Sequence, residues 1–273
     1  MDKVIIIKSE NKSFKLRLIE LIEYRELFYF LVWRDIKVKY KQSILGSAWA
    51  IFRPVITMIV VTFVFNKLAG FSIEDVPYPL FAFSGILAWS YYSEGLAMCS
   101  QSLVGNSSLI TKVYFPRIII PISAVLKGIL DFGITLVIFI CLMIFYSFTP
   151  TINLLLIPVG LLWLTIATLG VGLCFSAISV KYRDIGHALP FIVQLLFWIS
   201  PIGYSSAKIP HKYEFLYWLN PITGVIEFFR YLLVNQSYLP WHLFLLSLFV
   251  SLIMFLLGIL VFGKLERDFA DVI

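Results

Sequence analysis

Charge is scarce in this chain. Asp, Glu, Lys and Arg make up 14% of its 273 residues, while 60% are hydrophobic. Soluble domains carry about 25% charged and about 45–50% apolar residues, so a soluble globular fold is excluded. A disordered chain, which needs low hydrophobicity, is excluded too. A membrane barrel would dilute its apolar positions by alternation. Cysteine is nearly missing. Cys99, Cys141 and Cys174 lie far apart inside apolar stretches, which gives neither metal spacing nor a disulfide framework and reads as packing. His187, His211 and His242 are scattered. The chain has no G-x-x-x-x-G-K-[ST] phosphate loop, no H-E-x-x-H and no C-x-x-C. No acidic pair with a nearby His or Ser falls on one face. The sequence therefore predicts no catalytic residue, no metal site and no cofactor in this chain.

What is present is apolar sequence in long runs, which predicts an all-α, polytopic membrane protein. A span with its share of loop takes roughly 30–45 residues, given about 20 per crossing. The length then allows about six or seven spans in a single transmembrane domain, 1–273, with no room for a separate folded catalytic unit. The spans are placed at 51–70, 80–104, 117–147, 152–179, 185–204 and 241–262. The third and fourth exceed the length of one crossing and should tilt or protrude.

Residues 1–15 are charged, lack the apolar core of a signal peptide and read as a cytoplasmic tail. Over 16–41, Leu18, Leu21, Ile22, Leu27, Phe28 and Leu31 recur at helical spacing, with Glu20, Glu23, Glu26, Arg25 and Arg34 on much of the other face. That pattern predicts an amphipathic interface helix. A plain first span is the alternative, and it would place too many charges in hydrocarbon.

Lys and Arg set the orientation. Seventeen of the 22 fall in 1–53, 105–117, 180–184 and the C-terminal tail 263–273. The positive-inside rule then places both termini in the cytoplasm. The net charge of +6 tracks the membrane face and gives no reason to expect nucleic acid.

Segment 205–240 lies on the opposite side yet is apolar and aromatic. Asn220 can cap a helix that begins at Pro221. Ile222, Val225, Ile226, Phe229 and Leu233 share a face of that helix, and Glu227 and Arg230 form an i,i+3 pair. Two short re-entrant outer helices are expected, against the alternative of a further span.

Charge inside the spans is limited. Apart from Arg53 near the end of the first span, it comprises Lys67, Glu94, Lys127 and Asp131. Glu94 and Lys127 both fall in the inner half by helical rise. A structural Glu94–Lys127 contact is expected, with Asp131 one turn beyond; a proton relay is the sharper alternative.

Aromatic residues make up 17% of the chain. Most suit the ordinary interfacial belt. Aromatic faces also stack on sugar rings, by extension of their amphipathic character, and Tyr92, Phe197, Trp198 and Tyr204 are candidates for a saccharide path. The loop 105–121 offers Asn106, Ser107 or Ser108 as a cap, Tyr114 and Phe115 as an apolar knob, Lys112 and Arg117 as flanking cations, and Pro116 as a stop. Such an element suits insertion into a groove on a partner. Chemistry alone leaves a plain basic loop equally open.

The segments LGSAWAIFRP (45–54), LITKVYFPRIIIP (109–121), VKYRDI (180–185), LNPITGVIEFFR (219–230) and FADVI (269–273) stand in a distinctive order. With them the chain resembles the permease subunits of type-2 ABC exporters, in the branch that exports O-antigen and other polysaccharides or teichoic acids. The likeness runs from about residue 20 to the end. It implies a coupling helix over 107–117, comprising Ser107, Lys112, Val113, Tyr114, Phe115, Pro116 and Arg117, that meets a separate ATPase. It also implies outer gate helices over 208–235, with Asn220, Pro221, Glu227 and Arg230. The expected assembly is a permease homodimer with two ATPase subunits, which hold the ATP and magnesium, in the inner (plasma) membrane. The expected substrate is a polysaccharide on an undecaprenyl-pyrophosphate carrier. Arg34, Lys37, Lys39, Lys41 and Arg53 would attract its diphosphate. Arg53 departs from the family pattern; it either snorkels to headgroups or meets the diphosphate. A capsule, teichoic-acid or drug exporter of the same superfamily and an ion-coupled secondary transporter are the competing readings. An intramembrane glycosyltransferase would need acidic groups near the membrane face, and the cytoplasmic loops offer little beyond Asp184.

Overall fold

The computed structural model describes residues 23–41, 46–73, 76–182, 184–235, 240–266 and 269. The expected tail 1–15, the start of the interface helix at 16–22 and most of the FADVI segment lie outside these residues. The described residues form helices and connecting turns, with no strand among them.

Helix α1 (Arg25–Lys41) buries only Leu31 and leaves Tyr29, Phe30, Trp33 and Val38 exposed. That is the surface of a helix lying against an apolar medium. α2 (Gly46–Val61) carries Pro54 in its interior and runs on into a π-helical turn, Thr62–Leu68. Proline removes one backbone donor, and the hydroxyl of Thr57 bonds the Arg53 carbonyl at 2.8 Å in the same turn. Next come α3 (Tyr78–Gly105), the short α4 (Ser107–Lys112), and α5 (Ile119–Leu126) with α6 (Gly128–Phe145), which break at Lys127. α7 (Ile157–Lys181) follows a 3-10 turn at Ile152–Leu156, and α8 (Ile185–Ile199) follows α7. After a second 3-10 turn (Ser206–Lys208), α9 (His211–Trp218) and α10 (Pro221–Val234) form a hairpin, and α11 (Trp241–Leu265) closes the chain.

Among the described residues, four segments are long and apolar enough to cross a membrane: Ala48–Leu68, Ile119–Phe145, Ile152–Lys181 and Trp241–Leu265. The protein is a multi-pass membrane protein. α3 is longer than any expected crossing needs, at about 42 Å for its 28 residues, yet its composition is more polar. The reason is its position. It packs against α7, α10, α5, α6 and α2, and 19 of its residues are buried. Its hydroxyls are bonded internally: Ser84 to the Phe81 carbonyl at 2.7 Å, Ser102 to the Cys99 carbonyl at 2.7 Å, and Tyr91 to Thr165 at 3.0 Å. A helix sheltered by protein can carry polar side chains that find partners there.

α7 and α11 form the most extensive helix pair. They approach so closely that a Cβ on Gly258 would stand 2.5 Å from the Gly170 carbonyl oxygen, and one on Gly170 would stand 2.7 Å from the Phe255 nitrogen. Only glycine permits this backbone contact. α8 differs from the expected 185–204 span. It stops at Ile199, because Pro201 holds Ser200 in an extended conformation and offers no N–H to continue the helix. Its 15 residues rise about 22 Å, short of a hydrocarbon core of about 30 Å.

Candidate functional site

Three places collect the residues singled out by sequence. The first is the 106–117 loop. Asn106 stands at the N-terminus of α4 but makes no capping bond. Its side chain instead donates to the Ser102 carbonyl at 2.8 Å and accepts from Arg34 at 2.9 Å, which ties α1 to the loop. Ser107 is half-buried, and Lys112 and Val113 are exposed. The expected knob divides. Tyr114 is 62% exposed, whereas Phe115 is 4% exposed. The Phe115 ring joins a second apolar cluster with Leu103, Ile110, Ile119, Leu173 and Phe262. The two-residue knob is therefore corrected to Tyr114 alone, with Phe115 as its anchor. Pro116 and Arg117 are half-buried. Arg117 donates from its guanidinium to the Glu266 carbonyl at 2.7 Å and from its backbone to Glu266 Oε1 at 3.2 Å. The loop is thus fixed to α1 on one side and to the end of α11 on the other.

The second place is the α9–α10 hairpin. Asn220 caps α10 by accepting from the Ile222 N–H at 3.4 Å and donates to Ser200 at 3.1 Å. Pro221 opens the helix and is buried. Glu227 and Arg230 pair at 3.0 Å with both side chains at most 1% exposed. Arg230 also donates to the Pro201 carbonyl at 2.6 Å and the Ile202 carbonyl at 3.3 Å, and its guanidinium lies 3.7 Å from the Phe81 ring centroid. Glu227 accepts from the Ser206 N–H at 3.1 Å. The pair therefore fastens α10 to the 201–206 crossover and to α3. α10 is buried on nearly every face, Ile222, Val225, Ile226, Phe229 and Leu233 included.

The third place is a cavity of about 520 Å³ among α1, α2, α3, α6 and α8. Lys39 stands between Asp131 at 2.9 Å and Glu94 at 3.4 Å, and Arg53 lies 3.7 Å from Glu94. Tyr40 donates to Asp131 at 2.5 Å. Burial, reinforced by Asp131, pushes the Tyr40 hydroxyl well above the ordinary phenol range, so it stays a donor. The expected Glu94–Lys127 contact is replaced. No ion pair within 4.0 Å joins those two, because Lys39 of α1 reaches both carboxylates first.

The five cations expected to attract a diphosphate differ in their surroundings. Arg34 is paired with Asp35 at 2.8 Å, and Lys39 is shared by two carboxylates. Lys37 lies 5.4 Å over the Trp33 ring, and Lys41 is exposed. The Arg53 side chain is 70% exposed. The four aromatic path candidates also separate. Tyr92 is 1% exposed and stacks in the core on Trp89. Phe197 packs edge-on to Trp89 and lines the cavity. Trp198 is 54% exposed and, with Tyr204, flanks Phe65 at 6.4 and 6.2 Å. Tyr204 also hydrogen-bonds Tyr217 at 3.2 Å. Trp49, Trp89 and Tyr91 line the cavity and were not among the expected site residues. Their only signal in the sequence was general aromatic enrichment.

Residues 26–234 match the family of the ABC-2 type transporter. The chain is 28% identical over 249 residues to the O-antigen export system permease protein RfbA of Klebsiella pneumoniae, covering 91% of this chain and 95% of that protein. It is 29% identical over 213 residues to the protein of the same name from Myxococcus xanthus, covering 77% and 81%. It is 24% identical over 203 residues to the polysialic acid transport protein KpsM of Escherichia coli, covering 72% and 77%.

Proposed function

The chain belongs to the ABC-2 type transporter family, and from that premise we propose that it is the membrane permease of an ATP-driven polysaccharide exporter. The roles for which the relatives are named, O-antigen export and polysialic acid transport, support a glycan substrate. The permease crosses the inner membrane six times with both termini in the cytoplasm; α3 supplies one of the two crossings beyond the four apolar spans, and α8 together with the 200–204 segment that follows it supplies the other. Two copies assemble with two ATPase subunits that supply ATP and magnesium. The glycan travels on a polyprenyl diphosphate, and Arg53, the more exposed of the two cations that line the cavity, meets its head. α9 and α10 form the outer gate, and Trp198 and Tyr204 offer weak, repeated sugar contacts of the kind conduction needs.

The observation that carries this reading is the 106–117 loop. An exposed Tyr114 rides on a buried Phe115, and Arg34 and Arg117 brace the loop at both ends. A rigid aromatic tip can transmit movement from a partner to α3, α5 and α11. An ion-coupled carrier fits less well, since Glu94 and Asp131 are held by Lys39 and Arg53.

The test is co-purification with an ABC ATPase subunit from the same organism, followed by ATP hydrolysis in nanodiscs. Tyr114→Ala is expected to weaken association or uncouple hydrolysis. Tyr213→Ala, exposed on the gate hairpin, is expected to do neither. A permease that binds no ATPase, or one indifferent to Tyr114, overturns the proposal.

A further inference from the structure

The cavity beside α1 has a composition that a lipid diphosphate does not explain. Its ionised side chains are two cations, Lys39 and Arg53, and two carboxylates, Glu94 and Asp131. Signs alternate within 4 Å, so the charges of these four lining groups sum to zero. A diphosphate placed inside would face both carboxylates and would have to strip Lys39 from them, at a like-charge cost. A zwitterionic headgroup needs its poles apart, whereas here each cation already touches a carboxylate. A neutral polyol meets no such penalty.

The rest of the wall suits a sugar ring. Trp49 and Trp89 both line it; Trp49 is 54% exposed, while Trp89 is buried against Tyr92 and Phe197 and backs the wall. Ser90 and Ser93 add hydroxyls one turn of α3 apart. Among the described residues, the second oxygen of Glu94 accepts no hydrogen bond and its side chain is one-third exposed, so it is free to accept from a sugar hydroxyl. The volume of about 520 Å³ lies within the span of small-ligand sites, roughly 300–1,000 Å³. Apolar walls with a few convergent polar groups are the usual build of such sites. The exposed guanidinium of Arg53 also lines it.

We propose that this cavity is a subsite for one pyranose ring of the transported glycan, the ring next to the diphosphate that Arg53 meets. The proposal rests on the polysaccharide-export reading. Trp49 stacks on the ring and Glu94 orients it, while Lys39 and Asp131 hold the floor and α1 in place. A head that fits the cavity would be gripped at both ends before translocation.

The experiment uses the full permease in nanodiscs, with saturation-transfer NMR on methyl pyranosides, inorganic pyrophosphate and phosphoethanolamine as probes. Pyranoside binding is expected. Trp49→Leu should weaken it about two- to tenfold, the range of one lost aromatic contact, while Trp241→Leu, exposed and outside the cavity, should not. Glu94→Gln keeps an acceptor but removes the charge; it should keep pyranoside binding while altering ring preference. Equal pyranoside binding in all variants, or no binding of pyranosides alongside Trp49-dependent binding of pyrophosphate or phosphoethanolamine, overturns the proposal. A parallel glycan-export assay separates the two levels. Export without Trp49-dependent sugar binding removes the subsite and leaves the exporter reading standing. Trp49-dependent sugar binding with no ATP-driven glycan export leaves the site and removes the exporter reading.

Discussion

Replacing Arg230 with methionine should loosen the α9–α10 hairpin more than replacing its partner Glu227 with glutamine. The asymmetry follows from what each change leaves behind. Arg230→Met strands a carboxylate that is fully buried and keeps, among the described residues, only the Ser206 N–H, and it removes the donor from the Pro201 and Ile202 carbonyls. Breaking a buried pair from one side costs about 3–5 kcal/mol. Glu227→Gln keeps the amide oxygen as acceptor, and Arg230 retains two carbonyls and the Phe81 face. Its cost should be about 1–3 kcal/mol, the range for one weakened charge-assisted bond. At about 2–4 °C per kcal/mol for a domain of this size, Arg230→Met should lower Tm by on the order of 10 °C and Glu227→Gln by a few degrees. The double variant removes both charges and should recover most of the Arg230→Met loss, since a buried pair is often nearly neutral against an apolar replacement. Thermal unfolding of the detergent-purified protein, arranged as a double-mutant cycle, reads all three. Equal losses for the two single variants, or additive losses in the double, would refute the staple.

Phe115→Ala should destabilise the fold by about 3–5 kcal/mol, because the ring is only 4% exposed, whereas Tyr114→Ala should leave Tm unchanged; differential scanning fluorimetry separates them. Gly258→Ala should force α7 and α11 apart, since its Cβ meets a backbone oxygen at 2.5 Å, with a loss of about 1–3 kcal/mol measured as a lowered Tm. Lys39→Met should release α1 from α3 and α6, seen as faster amide hydrogen exchange across 25–41 with little change in α7 or α11. Exchange in 25–41 that stays at the wild-type rate would show that Lys39 does not hold the helix.

The helices were legible in the sequence where one local rule governs them. Continuous apolar runs marked the long helices. Asn220 before Pro221 marked the start of α10, and the Glu227–Arg230 spacing marked its pair. α3 was placed within two residues of its ends, although its polarity lowers its apparent membrane affinity. What local rules cannot carry is the partner across space. Lys39 and Glu94 are 55 positions apart, and only the packing of α1 against α5 and α2 brings Lys39, and not Lys127, to the carboxylates. The same limit hid the division between Tyr114 and Phe115. Both are aromatic and adjacent, and only the cluster with Leu103 and Phe262 pulls one of them inward. Tyr92 looked like a wall residue by composition, while the neighbours of α3 enclose it.

The most direct test of the proposed exporter function is glycan movement in proteoliposomes holding this permease, the ATPase subunit proposed to drive it and a polyprenyl-diphosphate-linked polysaccharide. The account predicts translocation that requires ATP, both proteins and an intact Tyr114. Translocation driven by a proton or sodium gradient without ATP, or without the ATPase, would contradict it.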